Sequence, residues 1–259
     1  MSMSLNPRIL DWRGRRVWLI GASTGIGAAF ARLLLEHGAR VALSARTEAA
    51  LLGVAGGHAQ ALVLPADATR EDELRAVAAR IDAAWGGIDL VVYLAGTYAP
   101  LRAWDIDLGQ IKRTFDINVI GCYGALAAVL PGMLARGNGA VAIVSSVAGY
   151  RGLPNALAYG PAKAALINLA EALYLDLAPK GIAVHLIDPG FVDTPLTAQN
   201  EFSMPGLISA AAAARAMLRG LERGEFETHF PKRFTLWMRL LRLLPYRLYF
   251  PVVRRFTGL

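Results

Sequence analysis

Short apolar runs that alternate with helical stretches restrict the folds open to this chain more than any other feature. The runs are rich in Val, Ile and Leu and lack polar alternation, as is typical of strands buried on both faces of a sheet. They are RVWLI at 16–20, VALSA at 41–45, ALVLPAD at 61–67, IDLVVYLAG at 88–96, AVAIVS at 140–145 and IAVHLI at 182–187. Helical patterns at 26–37, 47–55 and 70–85 lie between the early runs. This alternation predicts an α/β fold with a doubly wound parallel sheet and right-handed crossovers.

Composition and length are consistent with one such domain. The 259 residues are 55% hydrophobic and 18% charged, enough to build a large core. We predict a single domain over 1–230, followed by a basic and hydrophobic C-terminal tail over 231–259. The four histidines lack metal-ligand spacing and Cys122 is the single cysteine, so we expect neither a metal site nor an internal disulfide. The N-terminus lacks the apolar segment of a secretory signal, and we expect a cytoplasmic protein.

The positive charge of the chain is concentrated in the tail. Residues 231–259 hold seven of the 27 basic residues and no acidic residue, which leaves 20 basic and 20 acidic residues in 1–230. The basic balance therefore gives no reason to expect nucleic acid as a partner of the domain.

A glycine-rich segment follows the first predicted strand. It reads Gly21-Ala-Ser-Thr-Gly25-Ile-Gly27 and leads directly into a helical pattern. Glycines there permit a tight turn and a close approach of the backbone to a pyrophosphate, which the N–H groups of the helix N-terminus can bind. Between a buried strand and a helix, this spacing predicts a dinucleotide site of Rossmann type.

The residues at the end of the second strand indicate which dinucleotide binds. An acidic residue there would accept hydrogen bonds from the ribose of NAD, whereas an arginine suits the 2′-phosphate of NADP. The sequence has Ser44-Ala45-Arg46 and no acidic residue. We expect NADP(H), with Arg46 and Ser23 at the phosphate; NAD(H) is the alternative, with Arg46 a solvated loop residue.

The stretch from Ser145 to Leu166 contains two tyrosines, and spacing separates them. Lys163 lies four residues after Tyr159, on the same face of a helix, whereas Tyr150 has no such lysine. A tyrosine has a pKa of about 10, so a phenol that exchanges protons near neutral pH needs a nearby positive charge. Tyr159 is therefore the candidate general acid or base, and Tyr150 at most lines a pocket.

In order along the chain, these motifs resemble the short-chain dehydrogenase/reductase family from about residue 14 to 195. The glycine loop, Asn118 in an NxxG context, Ser146 thirteen residues before Tyr159, YxxxK at 159–163 and Pro189-Gly190 match the family's pattern. The resemblance implies an oxidoreductase in which Ser146 holds the substrate oxygen and Lys163 binds the nicotinamide ribose. It also implies that Asn118 holds a water that relays protons through Lys163.

The resemblance implies a set of cofactor contacts as well. These are Gly21, Ser23, Thr24, Gly25, Ile26, Gly27, Arg46, Asp67, Ala68, Ala95, Gly96, Tyr159, Lys163, Pro189, Gly190, Val192 and Thr194. Homodimers or homotetramers are common in such families, through the helices that hold Asn118 and Tyr159.

Two positions depart from the family's pattern. Leu94 stands where an asparagine usually precedes Ala-Gly, which bears on the local sheet more than on the chemistry. Pro161 lies inside YGPAK. Proline is tolerated in the first turn of a helix, so we expect this helix to begin at or just before Tyr159.

Two segments toward the C-terminus, a loop and the tail, give indications about the substrate. A variable substrate loop is expected at about 195–210, where Phe202, Met204 and Leu207 would form an apolar lid. Residues 234–256 mix bulky apolar side chains with arginines, and their longest charge-free stretch is far shorter than a span. The tail either contacts a membrane surface, with the protein at its inner face, or packs on protein.

The leading hypothesis is an NADP(H)-dependent reductase of a ketone, aldehyde or 3-oxoacyl substrate, apolar or lipid-derived. The first alternative is an alcohol or hydroxysteroid-type dehydrogenase that works oxidatively with NAD or NADP. The other is a non-catalytic NADP(H)-binding scaffold or sensor at a membrane.

Overall fold

In a computed structural model, which describes residues 4–198 and 204–258, strands and helices alternate as predicted. The strands are β1 Arg16–Ile20, β2 Arg40–Ser44, β3 Ala61–Val63, β4 Leu90–Tyr93, β5 Gly139–Val144, β6 Ile182–Pro189, β7 Val192–Asp193, β8 Ile208–Ser209 and β9 Glu227–Phe230. The helices are α1 Gly25–Glu36, α2 Glu48–Ala55, α3 Glu71–Trp85, α4 Leu108–Phe115, α5 Gly121–Arg136, α6 Tyr159–Leu177, α7 Ala210–Arg223, α8 Lys232–Leu243 and α9 Tyr246–Thr257.

Seven strands form one parallel sheet in the order β3-β2-β1-β4-β5-β6-β9. The chain moves outward in one direction from β1 to β3 and returns to the other side of β1 at β4. Loops at the carboxyl ends of strands diverge at this reversal and leave a crevice, where ligands of open α/β sheets bind. The predicted doubly wound parallel sheet is confirmed.

Both faces of the sheet are covered by helices. Trp18 and Ile20 of β1 belong to the apolar cluster on one side, while Val17 and Leu19 belong to the cluster on the other. All four side chains are almost completely buried. Two-sided burial explains why the strand sequences read as continuous apolar runs.

The observed strands differ from the predicted ones mainly at their ends. β3 ends at Val63, before Pro65, because proline cannot donate to a strand ladder. β9, which reads ETHF, was missed in the sequence because three of its four residues are polar. It is the edge strand of the sheet, and within the described part of the chain it pairs only with β6.

The stretch from Leu108 to Arg136 has the length and apolar character of a membrane-crossing helix. In the most apolar 18-residue part of this stretch, 44% is buried inside the protein. Cys122, Ala125, Val129 and Met133 of α5 belong to the core cluster on one side of the sheet. We interpret α5 as a core helix of the domain.

The tail forms α8 and α9, and one face of each packs on the domain. Met238 and Leu241 of α8 and Tyr249 and Val253 of α9 belong to the same core cluster as α5. The Tyr249 hydroxyl donates a hydrogen bond to the carbonyl of Gly152 at 2.6 Å. The boundary at residue 230 stays a prediction.

Gly220 of α7 packs directly against the side chain of Thr228 in β9. A Cβ atom added there would lie 2.6 Å from Thr228 Cγ2. We expect Gly220→Ala to lower the free energy of unfolding by about 1–3 kcal/mol, because the added methyl overpacks the contact. Gly53→Ala in α2 is the matched control, since none of the described residues has an atom within 4 Å of its added Cβ. We expect the control to be unchanged or stabilised by about 0.5–1 kcal/mol. Denaturant unfolding of both variants measures the difference, and equal midpoints would contradict the expectation.

Candidate active site

The glycine loop between β1 and α1 has the shape of an anion cradle. Gly21 has a φ of 96° and Gly25 a φ of 54°, values that favour glycine. A Cβ on Gly21 would lie 2.5 Å from the backbone nitrogen of Ala95, and one on Gly27 would collide with the carbonyl oxygen of Gly21. Thr24 precedes α1 in an extended conformation without a side-chain cap hydrogen bond. The first-turn N–H groups of α1 therefore remain open to an anion.

The ends of β2 and β3 present one acidic and one basic side chain to the same crevice. The hydroxyl of Ser44 is already engaged, because it accepts from Trp18 Nε1 at 2.9 Å and donates to the carbonyl of Leu64 at 2.8 Å. Arg46 is exposed and lines the crevice. The pKa of Asp67 is lowered, first by the hydrogen bond from the backbone N–H of Thr69, while burial opposes this and Arg46 adds to it.

Ser146, Tyr159 and Lys163 meet where β5 ends and α6 begins. The Ser146 hydroxyl accepts a hydrogen bond from the Ala148 N–H at 3.2 Å and donates to the carbonyl of Pro189 at 3.3 Å. Lys163 Nζ lies 5.6 Å from the ring centroid of Tyr159 and donates to the carbonyl of Val144 at 2.9 Å.

α6 begins at Tyr159, as Pro161 predicted. Pro161 therefore lies in the first turn, where the missing N–H costs no helical hydrogen bond. Tyr159 and Lys163 are one turn apart on the same wall of the crevice.

Burial, rather than charge, dominates the titration of this pair. Burial raises the pKa of Tyr159 to about 12, and the neighbouring Ser146 hydroxyl acts in the opposite direction. Burial lowers the pKa of Lys163 to about 8, against the opposing influences of Cys122 and Asp188. The sequence predicted a phenol tuned toward neutral pH by lysine. The structure differs, because removal from water disfavours both the phenolate and the ammonium ion.

Asn118 lies in a five-residue π-helical turn, Asp116–Ile120, just before α5. Its Nδ2 donates to the carbonyls of Thr97 at 3.0 Å and Thr114 at 2.8 Å. Its Oδ1 is buried and accepts no hydrogen bond from the residues that the structure describes. A Cβ on Gly96 would lie 2.9 Å from this Oδ1 and 3.6 Å from Lys163 Nζ, so both polar groups border the same small space.

One cavity of about 960 Å³ runs from the glycine loop to Tyr159. Every residue predicted at the cofactor lines it, as do Ser146, Tyr159 and Lys163 of the predicted catalytic set. Asn118 lies behind the wall. Tyr150, which was expected at most to line a pocket, does not line this cavity, and its hydroxyl donates to Glu227 at 2.5 Å.

Sequence reasoning missed several residues of the cavity. Tyr98 contacts Tyr159 edge to face, with ring centroids 5.1 Å apart, and Thr97 beside it also lines the wall. Both follow β4 at its carboxyl end, a position that could have identified them. Lys112 and Arg113 on α4 reach the cavity too. No spacing in the sequence indicated them.

The segment after β6 closes the far end of the cavity. Pro189, Gly190, Val192 and Thr194 line it, and the Thr197 hydroxyl donates to the carbonyl of Val192 at 2.6 Å. Of the predicted apolar lid, Phe202 lies outside the described residues. Leu207 is half exposed and does not line the cavity.

Comparisons with known proteins agree with this geometry. The family model for short chain dehydrogenase matches residues 15–204. An uncharacterized oxidoreductase of Myxococcus xanthus is 37% identical over 250 residues, which cover 93% of this chain and 97% of the relative. The cis-4-hydroxycyclohexanecarboxylate dehydrogenase of Sinomonas cyclohexanicum is 37% identical over 213 residues, covering 79% of this chain and 82% of the relative.

Two solved structures share the fold. A short-chain dehydrogenase from Streptomyces avermitilis superposes with a TM-score of 0.77 at 26% identity, over 87% of this chain and 91% of that one. An actinorhodin polyketide ketoreductase variant solved with NADPH gives a TM-score of 0.75 at 24% identity, over 83% and 95%.

The sheet, the glycine cradle and the crevice at the strand reversal define a Rossmann-type dinucleotide-binding fold. The chain belongs to the short-chain dehydrogenase/reductase family, whose members use NAD(P)(H). The residues present fit such a cofactor. A Cβ at Gly21 or Gly27 would fill the pyrophosphate cradle, and the guanidinium of Arg46 makes no ion pair within the described part of the chain.

Proposed function

We propose that this protein is an NADP(H)-dependent reductase of carbonyl compounds, with an apolar or lipid-derived ketone, aldehyde or 3-oxoacyl compound as substrate. The convergence of Ser146, Tyr159 and Lys163 on one wall of the dinucleotide-sized cavity carries the proposal. The bound cofactor supplies the hydride to the carbonyl carbon, and the protein supplies position and protons.

Tyr159 is the proton donor in this proposal. With a pKa of about 12 its phenol is protonated throughout the neutral range, which is the form that a general acid for reduction requires. Ser146 holds the substrate oxygen by a hydrogen bond, and its place at the end of β5 fixes the oxygen within reach of the phenol. Placement of the acid before the reaction removes much of the entropic cost of proton transfer.

Lys163 holds the cofactor ribose and supports the charge that Tyr159 acquires when it donates its proton. Its ammonium group has three donors, of which Val144 takes one. Asn118 holds a water beside Lys163 in this proposal. The open Oδ1 acceptor of Asn118 and the shared space beside Gly96 support that placement.

NADP(H) is the proposed cofactor, in preference to NAD(H). The support is local: Arg46 is exposed at the end of β2 and makes no ion pair with any residue that the structure describes, and Ser23 lines the same part of the cavity. Ser44 cannot replace an acidic residue at the ribose, because its hydroxyl is completely buried and bonded to Trp18 and Leu64 inside the sheet.

Oxidation of an alcohol is the second candidate. The relative from Sinomonas cyclohexanicum is named as a dehydrogenase of a hydroxylated ring carboxylate. Oxidation would require Tyr159 as a base, whereas reduction starts from the protonated phenol, which is the form present at neutral pH with a pKa of about 12. We therefore favour reduction.

A homodimer or homotetramer through α4, α5 and α6 is part of the proposal. Substantially exposed apolar side chains here include Leu108 of α4, Ile120 in the turn before α5, Tyr123 and Leu134 of α5, and Leu175 of α6. Apolar side chains on neighbouring helices are suited to a subunit interface.

We also propose a cytoplasmic location with the tail against the inner face of a membrane.

Tyr159→Phe tests the catalytic assignment. We expect the variant to lose about 10²- to 10⁴-fold in kcat while it still binds NADPH, because only the proton donor is removed. NADPH consumption with straight-chain ketones and aldehydes of increasing length measures kcat, and NADPH titration measures binding. Tyr174→Phe on the same helix is the control and should keep wild-type turnover. Unchanged turnover in Tyr159→Phe would contradict the assignment and favour a non-catalytic role.

Arg46→Ala tests the choice of cofactor. We expect the Kd for NADPH to rise about 10- to 100-fold and the Kd for NADH to change little, because a charge-assisted hydrogen bond contributes about 1.5–3 kcal/mol. Fluorescence titration with each cofactor provides both values. Arg32→Ala on α1 is exposed outside the cavity and serves as the control. An equal loss for both cofactors in Arg46→Ala would contradict the preference.

The pH profile of reduction tests the role of Lys163. Its pKa of about 8 means that the ammonium form prevails below pH 8 and is lost above it. The ammonium form is the one that stabilises a developing phenolate, so we expect kcat/KM to fall as pH rises through about 8. A profile measured at saturating NADPH that stays level up to pH 10 would contradict this role.

A further inference from the structure

α8 has two apolar faces, and only one of them is buried. Thr235, Met238 and Leu241, spaced by three, face the domain and are buried. Leu236, Leu240 and Leu243, spaced by four and three, lie on the opposite face and are 49%, 58% and 78% exposed. A helix at the surface of a globular protein ordinarily has one apolar stripe, toward the core. The second stripe is therefore not explained by folding.

α9 extends this second stripe. Trp237 contacts Phe256 edge to face, with ring centroids 6.1 Å apart, and Phe256 is 70% exposed. We call Leu236, Trp237, Leu240, Leu243 and Phe256 the outer face. Tyr246 and Phe250 of α9 form a further exposed pair, stacked at 5.6 Å.

Uncompensated positive charge accompanies the outer face. Two of the seven basic residues of the tail are engaged, since Arg239 contacts His229 and Glu227 and Arg242 lies over the ring of Tyr150. The other five are exposed and make no ion pair within residues 4–198 and 204–258. They are Lys232, Arg233, Arg247, Arg254 and Arg255. Residues 231–259 contain no acidic residue that could neutralise them.

We propose that the outer face is a docking surface for a bilayer that contains anionic phospholipid. Exposed leucines and aromatic rings enter the boundary between headgroups and acyl chains, while lysines and arginines contact the anionic headgroups. A second copy of the chain fits less well, because a two-fold contact would bring the same cationic surface against itself without an acidic residue between.

The docking surface adjoins the segment that closes the cavity. Phe234, at the start of α8, packs on Phe191 with ring centroids 5.3 Å apart. A Cβ on Gly190 would lie 2.8 Å from Phe234 Cδ1. On the bilayer this segment would lie close to the lipid, which suits a substrate dissolved there. That consequence rests on the proposed function, whereas the docking itself does not.

Co-sedimentation of the full chain with vesicles tests the docking. We expect binding to vesicles of phosphatidylcholine mixed with phosphatidylglycerol, and at least about tenfold weaker binding to phosphatidylcholine alone. The double variant Trp237→Glu, Leu240→Glu should lose about tenfold or more in affinity for the mixed vesicles. Leu52→Glu on α2 replaces an equally exposed leucine elsewhere and should bind like the wild type. Failure of the wild type to bind the mixed vesicles would overturn the proposal, as would unchanged binding of the double variant.

Two triple variants that remove the same charge from different surfaces show whether vesicle binding depends on the position of the arginines or only on the net charge of the protein. Arg233→Gln, Arg254→Gln, Arg255→Gln should weaken binding to the mixed vesicles by about tenfold or more. Arg32→Gln, Arg80→Gln, Arg219→Gln removes the same charge from exposed positions elsewhere and should bind more tightly than the first triple variant. Equal losses in the two would overturn the assignment to this surface.

Two further measurements separate the remaining outcomes. Light scattering of the double variant without vesicles reports the mass of the assembly. If the double variant has a lower mass than the wild type, and the wild type does not bind vesicles, the outer face binds a second copy of the chain and not a bilayer. Tyr159→Phe keeps the outer face and should sediment like the wild type, so the docking can succeed where the proposed chemistry fails, or the reverse.

Discussion

The attachment of α6 to the end of β5 fixes the geometry on which the candidate site depends. The Ser145 hydroxyl, buried at the strand end, donates to the carbonyl of Lys163 at 2.7 Å. A Cβ on Gly149 would lie 2.6 Å from the carbonyl carbon of Lys163, so the turn after β5 touches the helix backbone directly. These contacts set the distance between Ser146 on one element and Tyr159 and Lys163 on the other. A shift of α6 would separate the acid from the group that orients its substrate.

The parts of the site that depend on backbone geometry could be predicted from the sequence. Gly21 and Gly27 are required by close backbone approaches that no larger residue permits, and Gly25 is favoured by its positive φ, so the spacing of these glycines indicates the loop structure. Pro161 likewise restricts where α6 can begin. The two-sided burial of the sheet made the strands readable as apolar runs.

The parts that depend on tertiary packing could not be predicted. β9 is polar, and its place in the sheet is set by pairing with β6 and by the packing of Gly220 against Thr228. The titration of Tyr159 and Lys163 depends on how completely α6 is covered, which no spacing reveals. The sequence presented membrane contact and packing on protein as alternatives for the tail. In the structure one face of each tail helix packs on the domain, and α8 keeps a second apolar face in contact with solvent.

The inner contacts of α8 also change the thermodynamics of any association through its other side. An isolated amphipathic peptide must order its backbone when it meets a surface, at about 1–2 kcal/mol for each residue fixed. Met238 and Leu241 hold α8 in its helical form beforehand, so that cost belongs to the folding of the domain. Association can then be weak, rapid and reversible without unfolding the helix. The stability of the domain and the strength of its attachment could consequently be altered independently, by substitutions on opposite sides of one helix.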